Sequence, residues 1–98
     1  MSTEVPAALW FVYMLRTGQG QLYTGISTDP ERRLQQHESG KGGAKSLRGK
    51  GPMHLAWLLE VSNRSEASKI EARLKKLSKP LKEQLVAGKV HFSSLIQP

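Results

Sequence analysis

The chain has 98 residues, no cysteine and a formal net charge of +7. This length predicts a single small domain that buries about 60–70% of the surface of its unfolded chain. The lack of cysteine excludes disulfides and thiolate metal sites. The longest apolar run, residues 7–15, is too short to cross a bilayer, so we expect a cytoplasmic protein that does not enter a membrane.

The positive charge is concentrated in the middle of the chain. Residues 41–82 contain eleven lysines and arginines but three acidic residues, an excess of eight that exceeds the net charge of the whole chain. Such a basic segment predicts a polyanionic partner, and nucleic acid, with DNA favoured over RNA, is the first candidate. The alternative is a solvated basic face that keeps the protein soluble.

The first elements are two strands joined by a tight turn. Residues 1–7 read as a flexible tail and residues 8–88 as the domain, followed by a C-terminal tail at 89–98 that forms a short strand or coil. Residues 8–16 are almost all apolar, which is typical of a strand buried on both faces. Glycines at 18 and 20 predict a turn, and residues 22–27 form the return strand.

A helix then begins with Thr28-Asp29-Pro30, in which either Thr28 or Asp29 can serve as the N-cap. We expect this helix to span residues 30–39. It carries Arg33 and His37, whose spacing of four residues places them on the same face.

The segment from residue 40 to residue 52 is a glycine-rich basic loop. Its glycines allow the backbone to approach a ligand closely, and its basic side chains suit phosphate oxygens. The loop reads equally well as a mobile linker with solvated lysines. We expect nucleic-acid contacts from this loop and from the helices that follow, at Lys41, Lys45, Arg48, Lys50, Lys75, Lys79 and Lys82.

The second half of the chain predicts a third strand at 54–61 and helices at 66–78 and 80–87. We expect a three-stranded antiparallel sheet flanked by helices, an α+β fold. One predicted core joins helix side chains to strand side chains: Leu34, Ile70, Leu74, Leu77, Leu81 and Leu85 against Val12, Ile26 and Leu58.

Glu71 falls at the edge of the apolar stripe of its helix, next to Ala67 and Leu74. A carboxylate that faces the core side needs a partner, because an unpaired buried charge is costly. One partner is Lys75, four residues later, in a pair worth about 0.3–0.5 kcal/mol. The other is a metal ion or an arginine from elsewhere in the fold.

Several of these residues occur in a characteristic order: Val12-Tyr13, Tyr23-Thr24-Gly25, Arg33 with His37, and then Glu71. In this order the chain resembles the GIY-YIG nuclease superfamily, and in particular its small single-domain branch. The resemblance covers residues 9–86. It implies a GIY-YIG-like sheet and helices, and an endonuclease that hydrolyses phosphodiester bonds in DNA during repair or processing.

The resemblance also implies a role for each residue of the set. Glu71 would hold one divalent ion, Mg²⁺ or Mn²⁺, and Tyr13 would act as general base or orient the attacking water. Tyr23 would assist the phosphate or the water, Arg33 would neutralise charge on the phosphate, and His37 would transfer protons or bind phosphate. We expect the protein to be a monomer, and a partner protein could recruit it to its substrate.

The sequence departs from the family pattern at a few positions. Phe11 replaces a glycine, Thr24 replaces an isoleucine, and Ser46-Leu47 stand where relatives carry Tyr-Thr. No asparagine lies at residues 83–86, where many family members place one near the phosphate. The competing hypothesis is therefore a nucleic-acid-binding module that keeps the fold without cleavage.

Overall fold

The computed structural model describes residues 9–39 and 51–96. The predicted tail at residues 1–7 and the four predicted contacts Lys41, Lys45, Arg48 and Lys50 lie outside them. The strands are β1 (Trp10–Arg16), β2 (Leu22–Ser27) and β3 (His54–Val61). The helices are α1 (Pro30–Ser39), α2 (Arg64–Lys75), α3 (Lys79–Val86) and α4 (Phe92–Ile96). No helix within the described ranges has the length and hydropathy of a membrane span.

The three strands form one antiparallel sheet in the order β2-β1-β3, which confirms the predicted fold class. The central strand β1 is buried on both faces, as its apolar sequence predicts. Val12 and Met14 face one side and Tyr13 and Leu15 the other, and all four are at most 1% exposed. Strand β1 therefore contributes to two separate cores.

The larger core lies between the sheet and helices α2 to α4. It contains Val12 and Met14 of the sheet, and Trp57 packs against it with an edge-on contact to Phe92 at 6.3 Å between ring centroids. The helices contribute three buried side chains from the apolar face of α2 and one from α3, namely Ala67, Ile70, Leu74 and Leu85.

The predicted single core is wrong in two places. Leu34 lies in the smaller core on the opposite face of the sheet, with Tyr13, Leu15 and Met53. Leu58 is 49% exposed. Side chains alternate between the two faces of a sheet along each strand. Leu58 is the cross-strand partner of Tyr13, so it lies on the face of the sheet that α1 covers and not on the face of the larger core. An uninterrupted apolar run such as residues 55–59 does not show which face of the sheet each side chain occupies.

Side-chain caps set where the first two helices begin. Asp29 Oδ1 accepts a hydrogen bond from Arg32 N at 3.2 Å, so Asp29 rather than Thr28 caps α1. Asn63 Oδ1 accepts from Glu66 N at 2.8 Å, and α2 accordingly begins at Arg64, two residues before the predicted start. Helix α2 also ends three residues earlier than predicted, at Lys75, because α3 begins at Lys79 after its own cap, Ser78.

An ion pair between Arg16 and Glu83 joins the hairpin to α3. The guanidinium of Arg16 donates to both carboxylate oxygens of Glu83, at 2.5 and 2.6 Å, and also donates to Gly20 O at 3.3 Å. These hydrogen bonds hold the pKa of Glu83 below its usual range. The C-terminal segment, expected as strand or coil, forms the short helix α4.

Candidate active site

Tyr13 lies at the centre of the sheet, on the face covered by α1, and is 1% exposed. Its cross-strand partner on β2 is Gly25. A Cβ atom at residue 25 would lie 2.5 Å from Tyr13 Oη and 2.7 Å from Cζ. The phenol ring therefore occupies the space that a side chain at residue 25 would fill. Glycine is required here by close approach, since its φ is not positive.

Replacing Gly25 by alanine is expected to displace the Tyr13 ring, because contacts under 3.0 Å are not tolerated by real Cβ atoms. Overpacking of this kind costs about 1–3 kcal/mol. Chemical denaturation should show the lost free energy of unfolding. In a Tyr13→Ala background the same substitution should cost far less, so the double-mutant cycle should be strongly non-additive. A Gly25→Ala protein as stable as the parent would contradict this packing.

Helix α1 brings His37 onto Tyr13. His37 is 2% exposed, and its Nε2 lies 3.3 Å from Tyr13 Oη. The ring of Tyr23 meets the imidazole edge-on, with 5.3 Å between centroids and 64° between planes. Tyr23 reaches it from the same face of the sheet, since it lies two residues from Gly25 on β2. Two strands and one helix thus bring Tyr13, Tyr23 and His37 together.

Arg33, one turn before His37, completes this cluster. Arg33 is half-buried as a residue, and its guanidinium hydrogen-bonds to the Tyr13 phenol and donates from Nη1 to Gln36 Oε1 at 2.7 Å. The sequence interpretation did not single out Gln36. Its signal is the spacing of three residues from Arg33 on one helix, which brings side chains together.

The environment determines the protonation of the tyrosine and the histidine. Burial raises the pKa of Tyr13, and the hydrogen bond from Arg33 lowers that pKa by less. Burial, together with the positive charge of Arg33, lowers the pKa of His37 below its usual 6.5. At neutral pH the phenol is therefore protonated and the imidazole is neutral. The Tyr13 hydroxyl can donate its proton to His37 Nε2.

Glu71 lies on α2, at the edge of its buried stripe. Its side chain is 23% exposed, and Oε2 lies 3.3 Å from Lys75 Nζ, so the ion pair is formed in this structure. The carboxylate is also close enough to Tyr13 to raise the pKa of the phenol. Glu71 is therefore part of the same electrostatic environment as Tyr13 and Arg33.

The described residues suit some metal ions and not others. Within residues 9–39 and 51–96, no group of three or more histidine, cysteine or acidic side chains could hold a metal. A closed zinc site needs four such ligands. Mg²⁺ and Mn²⁺ can be held by one carboxylate together with water and substrate phosphate oxygens. The single half-buried carboxylate of Glu71 fits that second arrangement.

The predicted nucleic-acid contacts on the helices lie in different environments. Lys75 is paired with Glu71, and Lys79 Nζ donates to Gly20 O at 3.4 Å. Lys82 is half-buried on α3. Glu83 is the first of residues 83–86, where many family members carry an asparagine. Its carboxylate accepts hydrogen bonds from Arg16 and so joins the hairpin to α3.

A model of the GIY-YIG catalytic domain matches residues 9–84. UPF0213 proteins are similar over most of the chain. The protein from Aeromonas salmonicida is 52% identical over 97 residues, which cover 99% of this chain and 71% of that protein. The protein YhbQ from Escherichia coli O127:H6 is 55% identical over 87 residues, covering 89% and 86%. The chain spans 59% of the length of another relative, from Aeromonas hydrophila.

Two solution NMR structures are similar in fold. One is of a UPF0213 protein from Bacillus halodurans, with a TM-score of 0.54 and 43% identity, covering 83% of this chain and 85% of that one. The other is of a protein from E. faecalis, with a TM-score of 0.57 and 34% identity, covering 91% of both chains. Both support the arrangement of sheet and helices described above.

Proposed function

The chain belongs to the GIY-YIG family, and from that membership and the geometry of its site we propose that it is a metal-dependent endonuclease. Its proposed reaction is hydrolysis of phosphodiester bonds in DNA, in the cytoplasm, during repair or processing. The observation that carries the proposal is the buried contact between Tyr13 Oη and His37 Nε2 beside Arg33. A protonated phenol, a neutral imidazole and a guanidinium in one cluster suit the chemistry of phosphate esters.

His37 is the proton acceptor in this proposal. The raised pKa of Tyr13 makes the phenol a poor base by itself at neutral pH. The neutral imidazole can take the phenolic proton while the phenol takes one from water, so a proton passes from water through Tyr13 to His37. The water oxygen bonds to phosphorus while the bond from phosphorus to the ester oxygen breaks. The departing ester oxygen takes a proton from solvent.

Arg33 and Glu71 deal with the charge of the substrate. The planar guanidinium of Arg33 can donate to two phosphate oxygens and so neutralise charge that develops during attack. Glu71 would hold the divalent ion, which supplies Lewis-acid stabilisation of the phosphoryl oxygens when bound. Lys75 would have to leave Glu71 Oε2 for that, and a surface pair of this kind costs little to break. Tyr23 supports the imidazole from the side through its edge-on contact.

Removing the charge of Arg33 is expected to raise the pKa of His37, because the guanidinium is one of the two causes that lower it. We expect the imidazole of an Arg33→Gln protein to titrate at higher pH than the parent, followed by NMR of its ring carbon. Arg33→Lys keeps the charge and should leave the pKa lowered. An unchanged His37 titration in Arg33→Gln would mean that Arg33 does not act on the imidazole.

A nucleic-acid-binding module that does not cut is the second candidate. Two observations favour it: Glu71 is already paired with Lys75, and the residue twelve positions after it, Glu83, is bonded to Arg16. Such a module would bind nucleic acid through the predicted basic contacts, among them Lys75, Lys79 and Lys82. Tyr13 and His37 would then serve packing alone.

A paired binding and cleavage experiment separates the two candidates. Purified protein is given labelled single-stranded, duplex and branched DNA, and matching RNA, with Mg²⁺, Mn²⁺ or a chelator. The nuclease proposal expects cleavage of at least one DNA with metal and none with chelator. Binding without cleavage under every condition would support the binding module instead.

A further inference from the structure

Helix α2 carries basic side chains around its exposed side. At about 100° per residue, Lys75 falls on the flank of Glu71, towards the candidate active site. Lys69, Arg73 and Lys76 fall on the opposite flank, with Lys69 about 160° around the helix from Glu71. These three cations therefore lie on the side of α2 away from Glu71.

The second flank forms one side of a groove between α2 and α4. Its lining consists of Lys69, Ala72, Arg73, Lys76, Leu77 and Leu95. The two leucines pack against the larger core and form an apolar floor, while the three basic residues are exposed at the rim. No acidic side chain is among the described residues that line this groove.

The three rim cations are not compensated within the described part of the chain. Among residues 9–39 and 51–96, the ion pairs are Arg16 with Glu83 and Lys75 with Glu71, and none involves the rim. Lys69 and Arg73 are four residues apart, and Arg73 and Lys76 three, so like charges face each other along the helix. Such like-charge spacing is unfavourable along a helix, while the helix dipole favours Arg73 in the last turn.

We propose that this groove is a second phosphate-binding surface. It binds the backbone of a nucleic acid at a distance from the phosphodiester bond that lies in the candidate active site. Lys69 and Lys76 are about 10 Å apart along the axis at 1.5 Å per residue. Phosphates of one duplex strand advance by about 3.4 Å per nucleotide along the duplex axis, so that distance corresponds to about three nucleotide steps. An apolar floor with an entirely cationic rim complements a sugar–phosphate backbone.

This surface is distinct from the contacts at Arg33 and Glu71. The body of α2, about 10 Å across with its side chains, separates the two flanks. A strand held at the active site reaches the groove by bending around α2, or a second arm of a branched substrate occupies it. The inference rests on the nucleic-acid binding of the proposed function and not on cleavage.

The test is binding of a labelled 20-base-pair duplex and a branched DNA in chelator, over a range of salt concentrations. Lys69→Gln with Lys76→Gln is expected to weaken binding about 10-fold at 0.1 M salt. The slope of log K against log salt should fall by about 1.8, since each lost phosphate contact contributes about 0.9. The melting temperature of this double variant should stay close to that of the parent, because both side chains are exposed.

Two controls make the result specific to the groove. Lys69→Arg with Lys76→Arg keeps the charges and should bind as the parent does. Lys89→Glu changes the net charge by the same two units at an exposed residue that does not line this groove, and should retain most of the affinity.

The proposal is overturned if the double variant binds DNA as the parent does, or if Lys89→Glu weakens binding equally. It is also overturned if the double substitution abolishes binding of poly-glutamate but leaves DNA binding intact, since the groove would then fit an acidic protein. A chain that binds DNA through this groove and never cuts would refute the nuclease proposal alone.

Discussion

Replacing Glu71 by glutamine is expected to remove metal-dependent cleavage while DNA binding persists. The substitution keeps the size of the side chain and removes the charge that would hold the ion. Metal stabilisation of a phosphoryl transition state is worth several kcal/mol, so we expect a loss of at least about 10²-fold in single-turnover rate. Quenched time courses with excess enzyme measure that rate without interference from product release.

The matched control is Glu66→Gln, an identical change on the same helix at an exposed residue of its first turn. It should cut at the parental rate. Loss of the pair with Lys75 costs Glu71→Gln about 0.3–0.5 kcal/mol of folding free energy, too little to unfold the protein. Cleavage that survives Glu71→Gln undiminished would point to a contaminating nuclease or to a site elsewhere.

Replacing Tyr13 by phenylalanine should lower the cleavage rate by about 10²–10⁴-fold, the usual contribution of a general acid–base group. The ring stays over Gly25, so packing is retained, but the hydroxyl that would pass a proton from water to His37 is lost. The measurement is again the single-turnover rate, with binding affinity followed in parallel.

Tyr23→Phe is the matched comparison, because it removes a phenolic hydroxyl from the same face of the sheet. Its edge-on ring contact with His37 does not require that hydroxyl, so we expect a smaller loss. A Tyr13→Phe protein that cuts at the parental rate would show that the phenol does not handle the attacking water.

The order of the elements could be predicted from the sequence because it depends on local signals, whereas the site residues were inferred from the resemblance to the GIY-YIG superfamily. Strand β2 has its predicted bounds and α1 its predicted bounds, each fixed by turn glycines or by a proline at the helix start. The spacing of Arg33 and His37 predicted that they share one face of α1. The apolar stripe of α2 predicted that Glu71 lies at its edge.

Other features depend on contacts between distant residues, which the sequence pattern does not encode. The exposure of Leu58 and the transfer of Leu34 to the smaller core depend on which face of the sheet each helix covers. The space for Tyr13 above Gly25 depends on register. The pairing of Arg16 with Glu83 joins residues 67 positions apart.

The most direct measurement of the central claim, that Glu71 brings a divalent ion to the cluster of Tyr13, Arg33 and His37, is a Mn²⁺ titration followed by NMR. The labelled protein is bound to an oligonucleotide that cannot be cleaved. Paramagnetic broadening is expected to centre on Glu71, to extend to Tyr13 and Gly25, and to disappear in Glu71→Gln. Broadening centred on another carboxylate, such as Glu83, or unchanged in Glu71→Gln, would contradict the assignment.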